Sequence, residues 1–427
     1  MSDIQDHPLR YQLANELHAR PFPALTVPCH AAFLAIKQPK DAANRDRALD
    51  RAHLLNLLDR FGAQHPKPGA THYFGDLGRH KIKWESHTEF VTYTIFSQGV
   101  AARPFDPAAF DVFPEDWLQE VPGVRITSAL IRVELWEGDE TLVKDKMADW
   151  FVPESLACSH VLDRSAVMAT DFRIDSAGHM RFALFARQEI GARRVGRIVQ
   201  RMTEIEMYKT MSMLGLPRSQ TLSGRMGEID ADLSELVRSL NSPGHNPEDT
   251  LHGLLGISAE LENMLTEGTF RFSATGAYEA IVHQRIEVLR EERFGGRQTF
   301  REFMMRRFDP AMRTVKATER RLNDMTMRAT RAGELLRTQV DVSRSAQNQA
   351  LLESMDRRAD LQLQLQRTVE GLSVVAISYY ALNLVAYMAY PVASALDLSK
   401  GMMTAILTPL VVLGVWLGLH RIRRAME

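Results

Sequence analysis

The sequence predicts an α+β / α/β cytosolic domain with a mixed sheet, followed by a long helical stalk and a C-terminal two-helix transmembrane hairpin. Three observations predict it. Helical and strand periodicities are mixed along the first 217 residues. Residues 277–370 hold one proline, Pro310, and are dominated by Ala, Leu, Met, Glu, Gln and Arg, all good helix formers. Uncharged apolar stretches are confined to the last 57 residues of the 427. The expected divisions are an α/β domain over 1–217, a helical connector over 218–308 and a stalk helix over 309–370. Spans over 371–396 and 401–419 and a basic tail over 420–427 follow.

Taken in order, residues 8–20 (PLRYQLANELHAR) read as a short helix and 27–37 (VPCHAAFLAIK) as a strand. Residues 41–61 read as a helix with an apolar stripe at Leu54, Leu55, Leu57 and Leu58. Residues 81–97 alternate like a strand with a turn or bulge near Ser86, and 124–136 form another strand. A hairpin is expected from 166–174 and 179–186, turned at Asp175-Ser176-Ala177-Gly178. Residues 191–214 form a strongly amphipathic helix closed by Gly215 and Pro217. A loop at 242–249 separates helices around 225–240 and 250–267, and Gly295-Gly296 reads as a hinge or kink in a helix.

Asp309-Pro310 reads as an N-cap followed by proline at the first helical position. The helix that starts there runs to Glu370 and on into the membrane. Its apolar stripe passes through Val315, Leu322, Met325, Ala329, Leu336 and Val340, weakens around Gln347, and resumes at Leu361, Leu365 and Val369. A polar helix of this length is not stable alone, so homo-oligomerisation is the economical reading.

Residues 371–390 and 401–419 are uncharged runs of 20 and 19 residues, each long enough at about 1.5 Å per residue to cross a hydrocarbon core. Arg357, Arg358 and Arg367 precede the first. Arg421, Arg423 and Arg424 follow the second, and the connecting loop holds only Asp397 and Lys400. The positive-inside rule then puts both outer ends in the cytosol and the short loop on the far side. The N-terminus carries no secretory signal, which agrees. Ser373, Tyr380, Asn383, Tyr387, Tyr390 and Ser394 fall on one face of the first span. That face suits either helix packing or a pore lining built from several copies.

Chemistry-bearing motifs are few. The formal net charge of −1 points to no acidic or basic partner. Cys29 and Cys158 have no ligand spacing, and no Walker, dinucleotide, nucleophile-elbow or kinase signature occurs. Between Arg285 and Glu370, 18 basic residues face 13 acidic ones, without the aromatic interleaving of a nucleic-acid surface. Eight of 14 histidines lie in the first 87 residues, at spacings unsuited to zinc. Glu85, His87 and Glu89, on one strand face, suit a divalent cation or acid–base work; the alternative is a polar outer face with Trp84 and Phe90 inward. No cofactor other than such a cation is expected, and no catalytic residue.

The strings at 7–23 (HPLRYQLANELHARPFP), 83–96 (KWESHTEFVTYTIF), 196–217 (GRIVQRMTEIEMYKTMSMLGLP) and 367–380 (RTVEGLSVVAISYY) resemble the bacterial uncharacterized membrane-anchored protein family, a domain of unknown function. The layout as a whole resembles the CorA-type divalent-cation transporters. That resemblance implies a pentameric funnel whose first span lines the pore and ends in a Gly-Met-Asn signature. Here Tyr387-Met388-Ala389-Tyr390-Pro391 stands at that place, so the resemblance carries the layout and not magnesium selectivity. The leading expectation is an oligomeric inner-membrane ion channel or transporter with the bilayer and its own copies as partners. The alternative is a membrane-anchored scaffold or sensor with no transport activity, and a tethered enzyme comes third.

Overall fold

The run CHAAFLAIK makes the first strand, β1 (Cys29–Lys37), and every residue of it except His30 is buried. A strand covered on both faces needs apolar residues at successive positions, not only at alternate ones. The computed structural model describes residues 4–16, 22–239, 247–395 and 399–426. The further strands are β2 (His72–Leu77), β3 (His80–Ser86), β4 (Phe90–Gln98), β5 (Val124–Leu135), β6 (Ala157–Val161), β7 (Ala166–Thr170), β8 (Met180–Ala186) and β9 (Glu292–Arg293). The helices are α1 (Arg10–Glu16), α2 (Arg47–Arg60), α3 (Glu115–Gln119), α4 (Glu140–Trp150), α5 (Ala192–Met213), α6 (Gly215–Ser239), α7 (Pro247–Glu287), α8 (Phe300–Arg307), α9 (Asp309–Ala395) and α10 (Lys400–Met426).

All nine strands join one mixed sheet in the order β2-β3-β4-β1-β5-β8-β7-β6-β9. Only β5 and β8 run parallel; the other neighbours are antiparallel. Ala31, Phe33 and Ala35 of β1 face a core shared with α5, α7 and α8. Ala32, Leu34 and Ile36 face a second core closed by α2, α3 and α4. The body is thus helix, sheet, helix, an α+β arrangement. Contact density divides the chain into two units, Met1–Pro243 with His252–Ala332 and Gly244–Leu251 with Gly333–Glu427.

Several elements differ from expectation. The turn or bulge expected near Ser86 is a hairpin turn at His87–Glu89: His87 N–H donates to the Phe90 carbonyl at 2.8 Å, and 81–97 is divided between the antiparallel β3 and β4. Helix α2 starts at Arg47, where Asp46 accepts from Ala48 N–H, and not at Asp41. Helix α5 ends at Met213, just before Gly215 and Pro217 as expected, but those two residues also open α6, with Pro217 in the first turn, where a missing N–H costs nothing. A Cβ on Gly215 would lie 2.5 Å from Thr275 Oγ1, which explains the glycine. Gly295 and Gly296 both take positive φ in the turn after β9, outside any helix. Residues 242–246 of the expected loop and 17–20 of the expected first helix lie outside the described residues, and 247–249 open α7.

Gly196 in α5 sits where the backbone at Pro23 crosses the helix, and a Cβ there would come 1.7 Å from the Pro23 carbonyl oxygen. The close crossing is tied by Leu25 N–H donating to the Ala192 carbonyl at 3.0 Å.

The second core holds a buried histidine, His53. Its Nε2 lies 3.1 Å from the Trp117 carbonyl oxygen and its Nδ1 2.9 Å from the Tyr93 hydroxyl. A carbonyl only accepts, so Nε2 carries the hydrogen and Nδ1 accepts from Tyr93. Trp117 returns a bond from Nε1 to the His53 carbonyl at 2.9 Å, and the two rings stack at 3.9 Å. Burial pulls the imidazole down to about 4. The unfolded chain takes up its proton near an ordinary value of about 6.5. Stability present above that pH is therefore lost progressively as pH falls from about 6.5 to 4. We expect His53→Phe to flatten the slope of unfolding free energy against pH across this window. Urea unfolding at stepped pH reads the slope, and an unchanged slope would refute the assignment.

Candidate functional site

Among the described residues two helices are long and apolar enough to cross a membrane, and only 6% of the apolar window of each is buried. Along α9, Val374, Ser378, Ala381, Leu382, Ala386 and Ala389 are the more covered positions. Along α10 the covered positions are Met403, Thr404, Leu407, Thr408, Val411, Val415 and Leu419. Arg367, Glu370, Gly371 and Val374 line one cleft with Trp416, Leu419 and His420, so the two helices lie alongside each other there.

The predicted polar stripe of α9 does not face α10, whereas Ser378, off that stripe, is buried on the covered side. Tyr380, Tyr387 and Tyr390 are 68%, 80% and 58% exposed, and Ser373 and Asn383 are exposed with them. At about 100° per residue this face lies roughly opposite the one that α10 covers. The structure therefore brings Tyr380, Asn383, Tyr387 and Tyr390 onto one uncovered stripe. The Ser394 side chain lies outside those described.

Of the flanking arginines, Arg357, Arg358, Arg367, Arg421 and Arg424 are exposed; the Arg423 side chain lies outside those described, as does the loop residue Asp397. Every residue from Arg344 to Val369 is exposed, including Leu351, Leu352, Met355, Leu361 and Leu365. The stalk stripe is covered only from Met312 to Val340.

Glu85, His87 and Glu89 do not share a strand face, because the hairpin separates them. Glu85 stays on β3 and pairs with Lys83 at 3.1 Å. His87 lies in the turn and stacks on Phe90 at 4.4 Å. Glu89 turns inward and is 1% exposed. Its carboxylate accepts from both terminal nitrogens of Arg271 and from the Tyr278 hydroxyl at 3.1 Å, with Lys37 Nζ 3.8 Å away. Among the described residues no three His, Cys, Asp or Glu side chains gather as a metal site.

The turn is held by a buried arginine that sequence reasoning missed. Arg45 Nε donates to Asp50 at 2.8 Å. Its terminal nitrogens donate to the Ala42, Thr88, His87 and Phe90 carbonyls and to Ser86 Oγ, at 2.5 to 3.2 Å. A guanidinium has five donors in a fixed fork, and here all of them are used. Burial raises the Asp50 carboxyl above its ordinary range, against the opposing pull of Arg45. Glu206 was also missed, although an acidic residue on the apolar side of the amphipathic 191–214 stretch was a usable signal. It is 2% exposed and accepts from Thr127, Thr210 and Lys209 at 3.0, 3.0 and 2.6 Å.

Removing one partner of a buried ion pair strands the other charge, at a cost of about 3–5 kcal/mol. Glu89→Leu is expected to lower stability by about that much in chemical unfolding. Adding Arg271→Leu should recover part of the loss. A Glu89→Leu protein of unchanged midpoint would show that the pair is not buried as described.

Residues 5–426 match the family described as Protein of unknown function (DUF3422). No curated protein and no solved structure matches the chain. The family match runs from before α1 to the end of α10 and so takes in both the sheet and the two apolar helices. On that match the chain belongs to the DUF3422 family.

Proposed function

We propose that this protein is an oligomeric inner-membrane ion channel or transporter, with α9 and α10 as its spans and the stripe through Tyr380, Asn383, Tyr387 and Tyr390 as the wall of the ion path. The observation that carries the reading is the orientation of that stripe, turned away from α10 and uncovered within one chain. In a lone hairpin it would put an amide and three phenols against lipid. A polar side chain at that depth needs a partner, which only further copies or enclosed water supply. Ringed around an axis, carbonyl, hydroxyl and aromatic dipoles replace part of a cation's hydration shell.

The exposed stalk from Arg344 to Val369 supports the same reading, since its leucines have cover only if copies pack together. The basic flanks put the N- and C-termini on the cytosolic side. The CorA-like layout favours a pentamer and a divalent cation. A second reading, a membrane-anchored scaffold or sensor, is favoured by the lack of any charged residue on the stripe from Ser373 to Tyr390.

The test is mass determination in detergent followed by flux into liposomes, with Mg²⁺, Ca²⁺, Mn²⁺, Co²⁺, K⁺ and Na⁺ as separate arms. We expect a ring of roughly four or more copies and flux of at least one cation. Asn383→Leu should cut that flux by about tenfold or more, as loss of one well-placed polar group does, with the oligomer unchanged. A monomer or dimer, or no flux of any of the six ions, would sink the channel reading and leave the anchored scaffold.

A further inference from the structure

The β3–β4 turn does more than cap a hairpin. Beside it lies a cavity of about 320 Å³, within the range of small-molecule sites, lined by Arg47, Thr71, His87, Phe90, Tyr208 and Tyr278 among others. Its aromatic walls are two stacked pairs. His87 lies on Phe90 at 4.4 Å and 25°, and Tyr208 lies on Tyr278 at 5.5 Å and 29°. The pairs stand nearly upright to each other: His87 meets Tyr208 at 86° and Phe90 meets Tyr208 at 77°, both at 6.2 Å between centroids. Phe90 is fully buried against His87, so a flat ring meets His87 on one wall and the tyrosine pair on the other, one face-on and one edge-on, and aromatic rings favour both contacts.

The walls are fixed in advance. Arg45 holds the His87 and Phe90 carbonyls, and Tyr278 is held by its bond to Glu89. A site that loses little side-chain freedom on binding keeps more of its contact energy.

The charge around the cavity is positive. Glu89 behind Tyr278 faces two cations, Arg271 and Lys37. Arg47 opens α2 at the cavity and is exposed. The carboxylate whose charge it feels, Asp50, is already bonded to Arg45. A guanidinium so placed suits a phosphate.

We propose that this cavity binds a nucleoside phosphate, with its base stacked on the aromatic walls and its phosphate on Arg47. Base stacking on an aromatic side chain contributes about 1–3 kcal/mol, and it tolerates any base. The site is independent of the ion path, and binding is measured on the same protein whether or not it conducts.

The test is calorimetric titration of the full chain in detergent with AMP, GMP, CMP and UMP, and with inorganic phosphate alone. At least one nucleotide should bind in the micromolar to sub-millimolar range, and phosphate alone much more weakly. Tyr208→Leu and Arg47→Ser should each weaken that nucleotide about tenfold, the size expected for one stacking or charged contact. Tyr208→Phe keeps the ring and should keep the affinity. If Tyr208→Leu fails to fold, Arg47→Ser and Tyr208→Phe still decide. No binding by any of the four at millimolar concentration overturns the proposal, as does an affinity unmoved by Arg47→Ser.

Discussion

The fold depends on covering both sides of the central strand. Eight of the nine residues of β1 are buried, so neither face of the sheet centre tolerates water. On one side α5 supplies Val195, Ile198, Val199, Met202 and Ile205. On the other α2 supplies Leu54, Leu57 and Leu58, and α4 supplies Val143 and Met147. Apolar burial contributes roughly 25 cal/mol per Å², and two helical layers double the area over which it acts. The antiparallel neighbours of β1 carry the same burden, since β4 is buried along all but its last residue.

Polar groups inside such a body persist only where every donor and acceptor is met. Arg45 shows how the β3–β4 turn meets this condition: one side chain satisfies three carbonyls at the turn, the Ala42 carbonyl, a hydroxyl and a carboxylate. That fixes the β3–β4 turn, and the turn in turn fixes where His87, Glu89 and Phe90 sit. The Glu89–Arg271–Tyr278 cluster then links the sheet edge to α7, across 182 and 189 positions of sequence. The aromatic walls of the adjacent cavity follow from these two polar anchors.

In the second unit the constraint runs the other way. There the apolar surface is left uncovered, with Leu361, Leu365, Tyr387 and Met388 all more than half exposed. On the function proposed above, this surface meets lipid and other copies. The two helices cover only one face of each other, and on α9 that face is mostly small, with Ser378 and three alanines among its covered residues. The two faces of α9 therefore differ: the alanine–serine face meets α10, and the tyrosine–asparagine face is uncovered within the chain.

Much of this was legible in the sequence, because it rests on local pattern. Strand runs such as 27–37, the turn at Asp175–Gly178, the amphipathic stretch of α5, the start of α9 at Asp309 and the two uncharged runs all announce themselves over a few residues. The polar stripe on the first span needed only the helical repeat. What local pattern did not carry was pairing between distant segments. β6 is a short apolar run that gains strand identity only by lying between β7 and β9, the latter 132 positions away. A turn near Ser86 was legible, but that it parts Glu85 from Glu89 was not, because the turn is held in part by Arg45, 41 to 45 positions away. Sequence alone determined which stretches are apolar and with what period, since these are properties of neighbours along the chain. The tertiary structure alone decided which charges meet in the interior and which face of α9 stays open, because those depend on residues brought together from far apart.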